Sequence, residues 1–203
     1  MGDDTKERLV STAMRLFLDK GYGATSVAEI LHGAEANSGS LYHFFPTKQD
    51  LLIEVLGRYR DGIRPMLLEP AWAGVDDPIE RVFALLATYR GALAQTECLY
   101  GCPIGSLALE LHEPDPPVRV LLAKNFEGWI DAVEACFDAA GDRLPADCDR
   151  RGLAVMTLNV MEGGVMQSRT NRDLSSFDRS VAMLRDYLTR LETEAKKAKG
   201  KAP

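Results

Sequence analysis

A run of small and polar side chains near the N-terminus has the chemistry to contact nucleic acid. Residues 38–40, Ser-Gly-Ser, are small enough to let a helix approach the edges of base pairs. Tyr42 and His43 follow on the same predicted helix and end in polar tips suited to backbone phosphates, which set the register of a protein on DNA rather than read its sequence. Lys48 adds a cation at the start of the next predicted helix, where free N–H groups also favour phosphate. This order of residue types predicts a DNA-reading surface.

Helix-capping residues predict the elements that would position this surface. Ser26 and Glu29 have the spacing of a capping box, which starts a short helix that ends near Ala34. Asn37 is a suitable N-cap for the helix over residues 38–44. Two short helices that are joined by a tight turn and supported by a third helix form a helix-turn-helix.

Longer predicted helices surround this pair. Residues 5–20 place their apolar side chains on one helical face and are followed by Gly21, which favours a helix end. A second capping box at residues 47–50 opens a long fourth helix. Further helical segments are predicted at about residues 78–95, 118–140, 147–169 and 174–196. Strand signals are nearly absent, so the sequence predicts an all-α protein.

Charge and composition limit the classes of function that the chain can have. The 203 residues include 24 Lys and Arg against 30 Asp and Glu, which gives a net charge of -6. This balance argues against a purely electrostatic nucleic-acid binder such as a histone. Residues 1–60 contain 7 Lys or Arg and 8 Asp or Glu, so the presumed DNA-binding part is near neutral. We therefore expect weak non-specific affinity for DNA.

The N-terminus and the cysteines indicate a cellular compartment. Charged residues replace any apolar signal segment, and no run of apolar residues is long enough to cross a membrane. Four scattered cysteines do not make a disulfide-stapled secreted domain. We expect a cytoplasmic protein without a membrane partner, a cofactor or a metal.

The N-terminal quarter resembles the DNA-binding domain of TetR-family repressors. The matching pieces are Thr5–Leu9, Leu16-Phe17, Gly21-Tyr22, Thr25–Ile30, Gly39–Lys48 and Leu51-Leu52, in the family's order and spacing. The resemblance implies an all-helical homodimer with a three-helix DNA-binding domain and a C-terminal helical domain for ligand binding and dimerisation. It also implies a repressor that a small ligand releases from a pseudo-palindromic operator in double-stranded DNA.

Site residues follow from this resemblance position by position. Those that match the family's phosphate contacts are Thr25, Ser26, Tyr42, His43 and Lys48. Those that match its base-reading stretch are Ser38, Gly39 and Ser40. We place the DNA-binding domain at residues 1–48, the ligand-binding and dimerisation domain at 49–196, and a flexible Lys-rich tail at 197–203.

Two positions depart from the family's pattern. Glu35 stands where the family usually has the turn glycine, so an acidic side chain must take a backbone conformation that glycine adopts more cheaply. Ser38 stands where a lysine is common, which removes a phosphate or base contact. Both changes make the DNA-facing side less basic.

The C-terminal half indicates the class of ligand. Residues 98–110 resemble a segment of the LmrA/YxaF-like branch of the family, which implies an aromatic or otherwise hydrophobic effector. The residues predicted to line its pocket are Phe83, Cys102, Phe126, Trp129 and Gln167. Glu110 and Asn125 are further candidates for polar anchors, although most aromatic residues at helical spacing simply form core.

The last two helices carry the predicted dimer interface. Phe177, Val181, Leu184, Leu188 and Leu191 repeat at spacings of 4, 3, 4 and 3, as in a coiled coil. Glycines 163 and 164 in the preceding helix favour close approach by another helix. The predicted interface comprises Leu153, Met156, Val160, Gly163, Gly164, Val181, Leu184 and Leu188. Alternatively, the stripe only closes the core of one subunit.

Cys98 and Cys102 leave one alternative open. The pair, with His112 ten residues further on, lacks the spacing of a structural zinc site. Ordinary packing cysteines are the first interpretation, and a redox- or electrophile-sensing regulator is the second. The sequence carries no HExxH motif, nucleophile elbow or phosphate loop, so a small-molecule enzyme is the less favoured alternative and we expect no catalytic residues.

Overall fold

The computed structural model describes residues 2–200, for residues 2 and 3 the backbone only, and this part of the chain is helical without a single strand. Ten α-helices follow one another: α1 Gly2–Lys20, α2 Val27–Gly33, α3 Ser38–Phe44, α4 Lys48–Ile63, α5 Glu69–Trp72, α6 Pro78–Gln95, α7 Pro103–Glu110, α8 Pro116–Ala139, α9 Arg150–Asn171 and α10 Ser175–Lys199. A π-helical turn, Arg64–Leu68, joins α4 to α5, and a 3₁₀ turn, Gly141–Arg143, follows α8. The all-α prediction is confirmed.

The N-terminal helices belong to a first compact unit, which consists of the chain up to Gly62 together with Cys102–Phe126. Helix α1 packs against α2, α3 and α7 within it. Its core contains, among others, Leu9, Ala13, Phe17, Ile30, Leu41, Phe45, Leu51, Val55 and Leu107. Burial of these apolar faces fixes the short helices in place, because helices of seven residues are marginal alone in water.

The second compact unit comprises Ile63–Gly101 and the described residues from Glu127 onward. Helices α9 and α10 pack along each other, and α6 packs against both. Charged contacts support this packing: Arg90 Nε donates to Asp178 at 2.7 Å, and the guanidinium of Arg185 lies 3.6 Å from the centroid of the Phe83 ring. The predicted boundary between the DNA-binding and C-terminal domains at residue 48 stays a prediction. Compact packing groups α4, α7 and part of α8 with the first unit, whereas that boundary assigns them to the C-terminal domain.

The predicted C-terminal tail is partly helical. Helix α10 continues to Lys199, whose ammonium pairs with Asp142, so residues 197–199 of the predicted tail are helical, and the flexibility of the tail stays a prediction. Residues 201–203 lie outside the described residues. The segment at residues 70–76, which reads as a linker, is also packed: Trp72 Nε1 donates to the carbonyl of Arg81 at 2.9 Å.

The two neighbouring glycines of α9 differ in their surroundings. A Cβ on Gly164 would lie 2.8 Å from the Phe177 ring and 3.2 Å from the Phe177 Cα of α10, whereas a Cβ on Gly163 would meet nothing within 4 Å in the same chain. The close helix approach predicted from this pair therefore occurs inside one subunit, at Gly164.

We expect Gly164→Ala to lower the free energy of unfolding by about 1–3 kcal/mol, because the added methyl overpacks the contact between α9 and α10. Gly163→Ala is the matched control and should raise it by up to about 1 kcal/mol through helix propensity. Urea unfolding followed by circular dichroism measures both. Equal losses at the two positions would contradict the packing explanation.

Candidate nucleic-acid interface

Helix α2 begins at the predicted capping box. The Ser26 hydroxyl accepts a hydrogen bond from the N–H of Glu29 at 3.2 Å, and the Glu29 carboxylate accepts one from the N–H of Ser26 at 2.8 Å. Lys20 also pairs with Glu29. The Lys20 ammonium and the hydrogen bonds from Ser26 lower the pKa of Glu29 to about 2, so this carboxylate is charged at neutral pH. The prediction of the α2 cap is confirmed.

Helix α3 separates into an anchored face and an open face. Asn37 caps it by accepting a hydrogen bond from the N–H of Ser40 at 2.8 Å. Leu41 is fully buried, as is Phe45 just after the helix, whereas the Tyr42 side chain is 53% exposed. Residues 38, 39 and 43 are also exposed, and Ser40 is half-buried. The predicted base-reading stretch and both polar aromatic tips therefore share the solvent side of one short, anchored helix.

The turn between α2 and α3 is strained at Glu35. Its φ is +49°, in the left-handed region, as its replacement of glycine predicts. The N–H of Ala36 donates to the carbonyl of Leu31 at 3.0 Å, and Arg8 Nε of α1 donates to the carbonyl of Ala34 at 3.0 Å. These hydrogen bonds hold the turn between α2 and α3.

Lys48 lies at the start of α4, directly beside the loop between α1 and α2. Its ammonium donates to the carbonyl of Tyr22 and lies 4.1 Å from the centroid of the Tyr22 ring. Partial burial lowers the pKa of Lys48, and the negative charges of Glu110 and Glu29 act in the opposite direction. The ammonium has three N–H donors. One of them donates to the Tyr22 carbonyl, and the other two can donate to a phosphate.

Thr25 and Ser26 support the loop rather than extend from it. The Thr25 side chain is 1% exposed, and its hydroxyl donates to the carbonyl of Gly21 at 2.7 Å. A buried hydroxyl cannot reach a phosphate, so we revise Thr25 from a contact to a positioning residue. Ser26 is exposed, but its hydroxyl donates to the Glu29 carboxylate at 2.7 Å, which places a negative charge beside it.

Glu110 contacts the loop between α1 and α2. It was a candidate for a polar anchor of the ligand pocket, yet its carboxylate accepts hydrogen bonds from the N–H groups of Tyr22 and Gly23, at 2.9 Å for Tyr22. The two partners are 88 residues apart in the chain, so no local pattern could have paired them. Asn125 is likewise structural, since its amide donates to the Leu56 carbonyl at 3.1 Å.

The predicted pocket residues are distributed over the two units. Cys102 and Phe126 belong to the first unit, and Phe83, Trp129 and Gln167 belong to the second. Phe83 and Trp129 are buried, and Trp129 Nε1 has no hydrogen-bond partner among the described residues. Gln167 is exposed on α9, which argues against a place in an enclosed pocket. The pocket itself stays a prediction.

The predicted interface residues also divide into two groups. Leu153, Gly164, Leu184 and Leu188 are buried within the single chain, so they close its core as the alternative interpretation supposed. Met156, Val160, Gly163 and Val181 are half-buried. An open groove runs beside them, lined by Met156, Val160, Arg179, Ser180, Met183, Leu184 and Tyr187.

The burial of Cys98 favours the interpretation as an ordinary packing cysteine over a thiol sensor. Cys98 is buried in the second unit, and Cys102 is half-buried in the first. Burial raises the pKa of the Cys136 and Cys148 thiols, which lowers their reactivity.

No group of three or more metal-ligating side chains occurs among the described residues. Within residues 2–200, no helix combines the length and the apolar character that crossing a membrane requires.

Comparisons with known proteins find relatives of both the N-terminal and the C-terminal parts of the chain. A family profile described as bacterial regulatory proteins of the tetR family matches residues 9–55, and one described as the C-terminal domain of LmrA/YxaF-like transcriptional regulators matches residues 78–183. The HTH-type transcriptional regulator YxaF of Bacillus subtilis is 33% identical over 172 residues, which span 84% of this chain and 87% of YxaF.

Two further comparisons cover nearly the whole chain. The HTH-type transcriptional regulator LmrA of Bacillus subtilis is 29% identical over 92% of this chain and 98% of LmrA. The crystal structure of a TetR transcriptional regulator from Chloroflexus aurantiacus superposes with a TM-score of 0.80 at 24% identity, over 93% of this chain and 96% of that one. At this identity the crystal structure shows a shared fold alone.

The strain at Glu35 predicts a stabilising substitution. Glu35→Gly should raise the free energy of unfolding by about 1 kcal/mol, because a left-handed backbone costs a residue with a Cβ about that much. Glu35→Ala keeps the Cβ while removing the charge and should have little effect. Chemical denaturation of both variants measures the difference. A gain in Glu35→Ala equal to that in Glu35→Gly would attribute the effect to charge instead of backbone strain.

Proposed function

Because the chain belongs to the TetR family of transcriptional regulators and carries an LmrA/YxaF-like C-terminal domain, we propose that it is a homodimeric repressor released from a pseudo-palindromic operator by a small molecule. The observation that carries the proposal is the open face of α3, which presents small and polar side chains on a helix anchored by Leu41 and Phe45. Since operator DNA lies in the bacterial cytoplasm, we expect the protein to act there.

In this proposal α3 enters the major groove. Ser38, Gly39 and Ser40 bring the helix backbone close to the base edges, and the hydroxyl groups of Ser38 and Ser40 donate and accept hydrogen bonds there. Tyr42, His43 and Lys48 contact the phosphates on either side and set the register. Because Lys48 is already oriented by Tyr22, less side-chain entropy is lost on binding than for a free lysine.

A second copy of the chain is the proposed partner at α9 and α10. Met183 is 66% exposed and Tyr187 is 45% exposed beside the groove next to Met156 and Val160. A two-fold axis would place the same apolar surface of both subunits together and remove it from water. Such a dimer would present two copies of α3 to successive major grooves about 34–36 Å apart.

The effector is proposed to be a small hydrophobic or aromatic molecule bound by the C-terminal domain. Phe83 and Trp129 are buried aromatic residues in the matched region, and the unpartnered Trp129 Nε1 is a donor for a polar group on such a molecule. Release requires that the effector bind the DNA-free state more tightly than the DNA-bound state.

Selection from a randomised duplex pool tests the proposed function. We expect the wild-type chain to recover a pseudo-palindrome whose half-sites are about one helical turn apart. On that duplex, Tyr42→Phe should weaken binding about tenfold if its hydroxyl donates to a phosphate. Lys48→Ala should weaken binding for every sequence and reduce the salt slope by about one unit for each subunit.

Lys197→Ala is the matched control for charge, because Lys197 lies on α10 outside the DNA-binding part. Its affinity and salt slope should equal those of the wild type. Recovery of no common sequence, or equal losses for Lys48→Ala and Lys197→Ala, would contradict operator recognition through α3 and Lys48.

The dimer makes a separate prediction. Met183→Glu should convert the dimer to monomers, because two carboxylates would be buried against the opposite apolar surface. Met66→Glu is the matched control, since Met66 is as exposed but lies in the π-helical turn after α4. Light scattering coupled to size-exclusion chromatography measures both. A monomeric wild type, or an unchanged mass for Met183→Glu, would contradict the proposed interface.

A further inference from the structure

A carboxylate from α7 occupies a cradle in the loop between α1 and α2. Glu110, the last residue of α7, accepts hydrogen bonds from the backbone N–H groups of Tyr22 and Gly23. A Cβ added to Gly21 would lie 2.8 Å from a Glu110 oxygen, and one added to Gly23 would lie 3.0 Å from the other. Gly21 also has a φ of +90°. The two glycines therefore leave room for this carboxylate and for no further side chain.

The same loop determines where Lys48 stands. In the peptide group between Tyr22 and Gly23, the N–H donates a hydrogen bond to Glu110 and the carbonyl accepts one from the Lys48 ammonium. A peptide group that is hydrogen-bonded at both ends is polarised, so each bond strengthens the other. Glu110 and Lys48 are thus joined through one peptide group, although no direct ion pair between them is needed.

The loop also leads directly into the helix-turn-helix. It leads through buried Thr25 to Ser26, the N-cap of α2. The Tyr22 ring packs edge-on against Phe17 of α1, with the ring centroids 5.3 Å apart. A change in the position of the Tyr22–Gly23 peptide would move both the start of α2 and the ammonium of Lys48.

We propose that Glu110 is a positioning residue for operator binding, which holds the Tyr22–Gly23 peptide and thereby Lys48 in the orientation that meets a phosphate. The chain leaves the first unit after Gly62 and returns at Cys102, so α7 connects directly to the C-terminal part. This inference rests on the proposed function and names a residue that positions its DNA-contacting lysine.

A double-mutant cycle in the full-length protein tests the contact from both sides. Glu110→Gln keeps the size of the side chain but removes its charge, and Gly23→Ala pushes the carboxylate out of the cradle. Amide hydrogen exchange of Tyr22 and Gly23 reports on the contact without DNA. Affinity for the duplex that the wild type selects reports on positioning. Glu113→Gln is the matched control, because Glu113 is an exposed carboxylate on the turn that follows α7.

We expect each single variant to exchange the two amides about tenfold faster and to bind the duplex about tenfold more weakly, which corresponds to the loss of one charge-assisted hydrogen bond. The double variant should be no weaker than either single variant, because both remove the same contact. Glu113→Gln should match the wild type in both measurements.

Four results would overturn the role of Glu110, and a fifth would overturn the proposed function on which it rests. Faster exchange with unchanged affinity would make the contact merely structural. Tighter binding by both Glu110→Gln and Glu113→Gln would mean that the carboxylate acts only by repelling DNA. Additive losses in the double variant would mean that Glu110 and Gly23 act separately. If the wild type selects no duplex, the proposed function fails first, whereas normal wild-type binding with unaffected variants refutes the role of Glu110 alone.

Discussion

A helix of seven residues is too short to hold its shape alone in water, and α3 must do so while one side remains in solvent. Its stability comes from three places: the Asn37 cap, the buried side chains of Leu41 and Phe45, and α1, which packs against it. Because the anchors occupy the inward positions, the outward positions are free to carry small and polar residues. The rest of the first unit can be understood as support for this two-turn helix.

In the first unit, the placement of individual cations matters more than the total charge. Lys20 pairs with Glu29, Lys6 with Glu54 and Arg58 with Glu7, so several cations are engaged with carboxylates of the same unit. Such exposed pairs add little stability but reduce the field felt at a distance. In the proposed function, affinity for DNA comes from a few well-placed donors, and Lys48, oriented by Tyr22, is one of them.

Local patterns in the sequence predicted the elements well, because their causes are local. The capping boxes at Ser26 and Thr47 and the cap at Asn37 each involve residues three apart. The left-handed backbone at Glu35 was implied by the family resemblance, since that position usually carries the turn glycine. The burial of Thr25, the packing of Gly164 on Phe177 and the pairing of Glu110 with Tyr22 depend on which elements meet in space. Periodicity cannot decide such contacts.

The cradle around Glu110 links the evolution of distant parts of the chain. A larger residue at position 21 or 23 is tolerated only if the carboxylate at 110 is lost or moves, and a shorter side chain at 110 leaves two loop N–H groups without their partner. These positions should therefore covary among relatives, despite the 87 residues between Gly23 and Glu110. A transplanted segment that ended at Gly62 would therefore leave behind the carboxylate with which its own loop pairs, because the first unit includes α7.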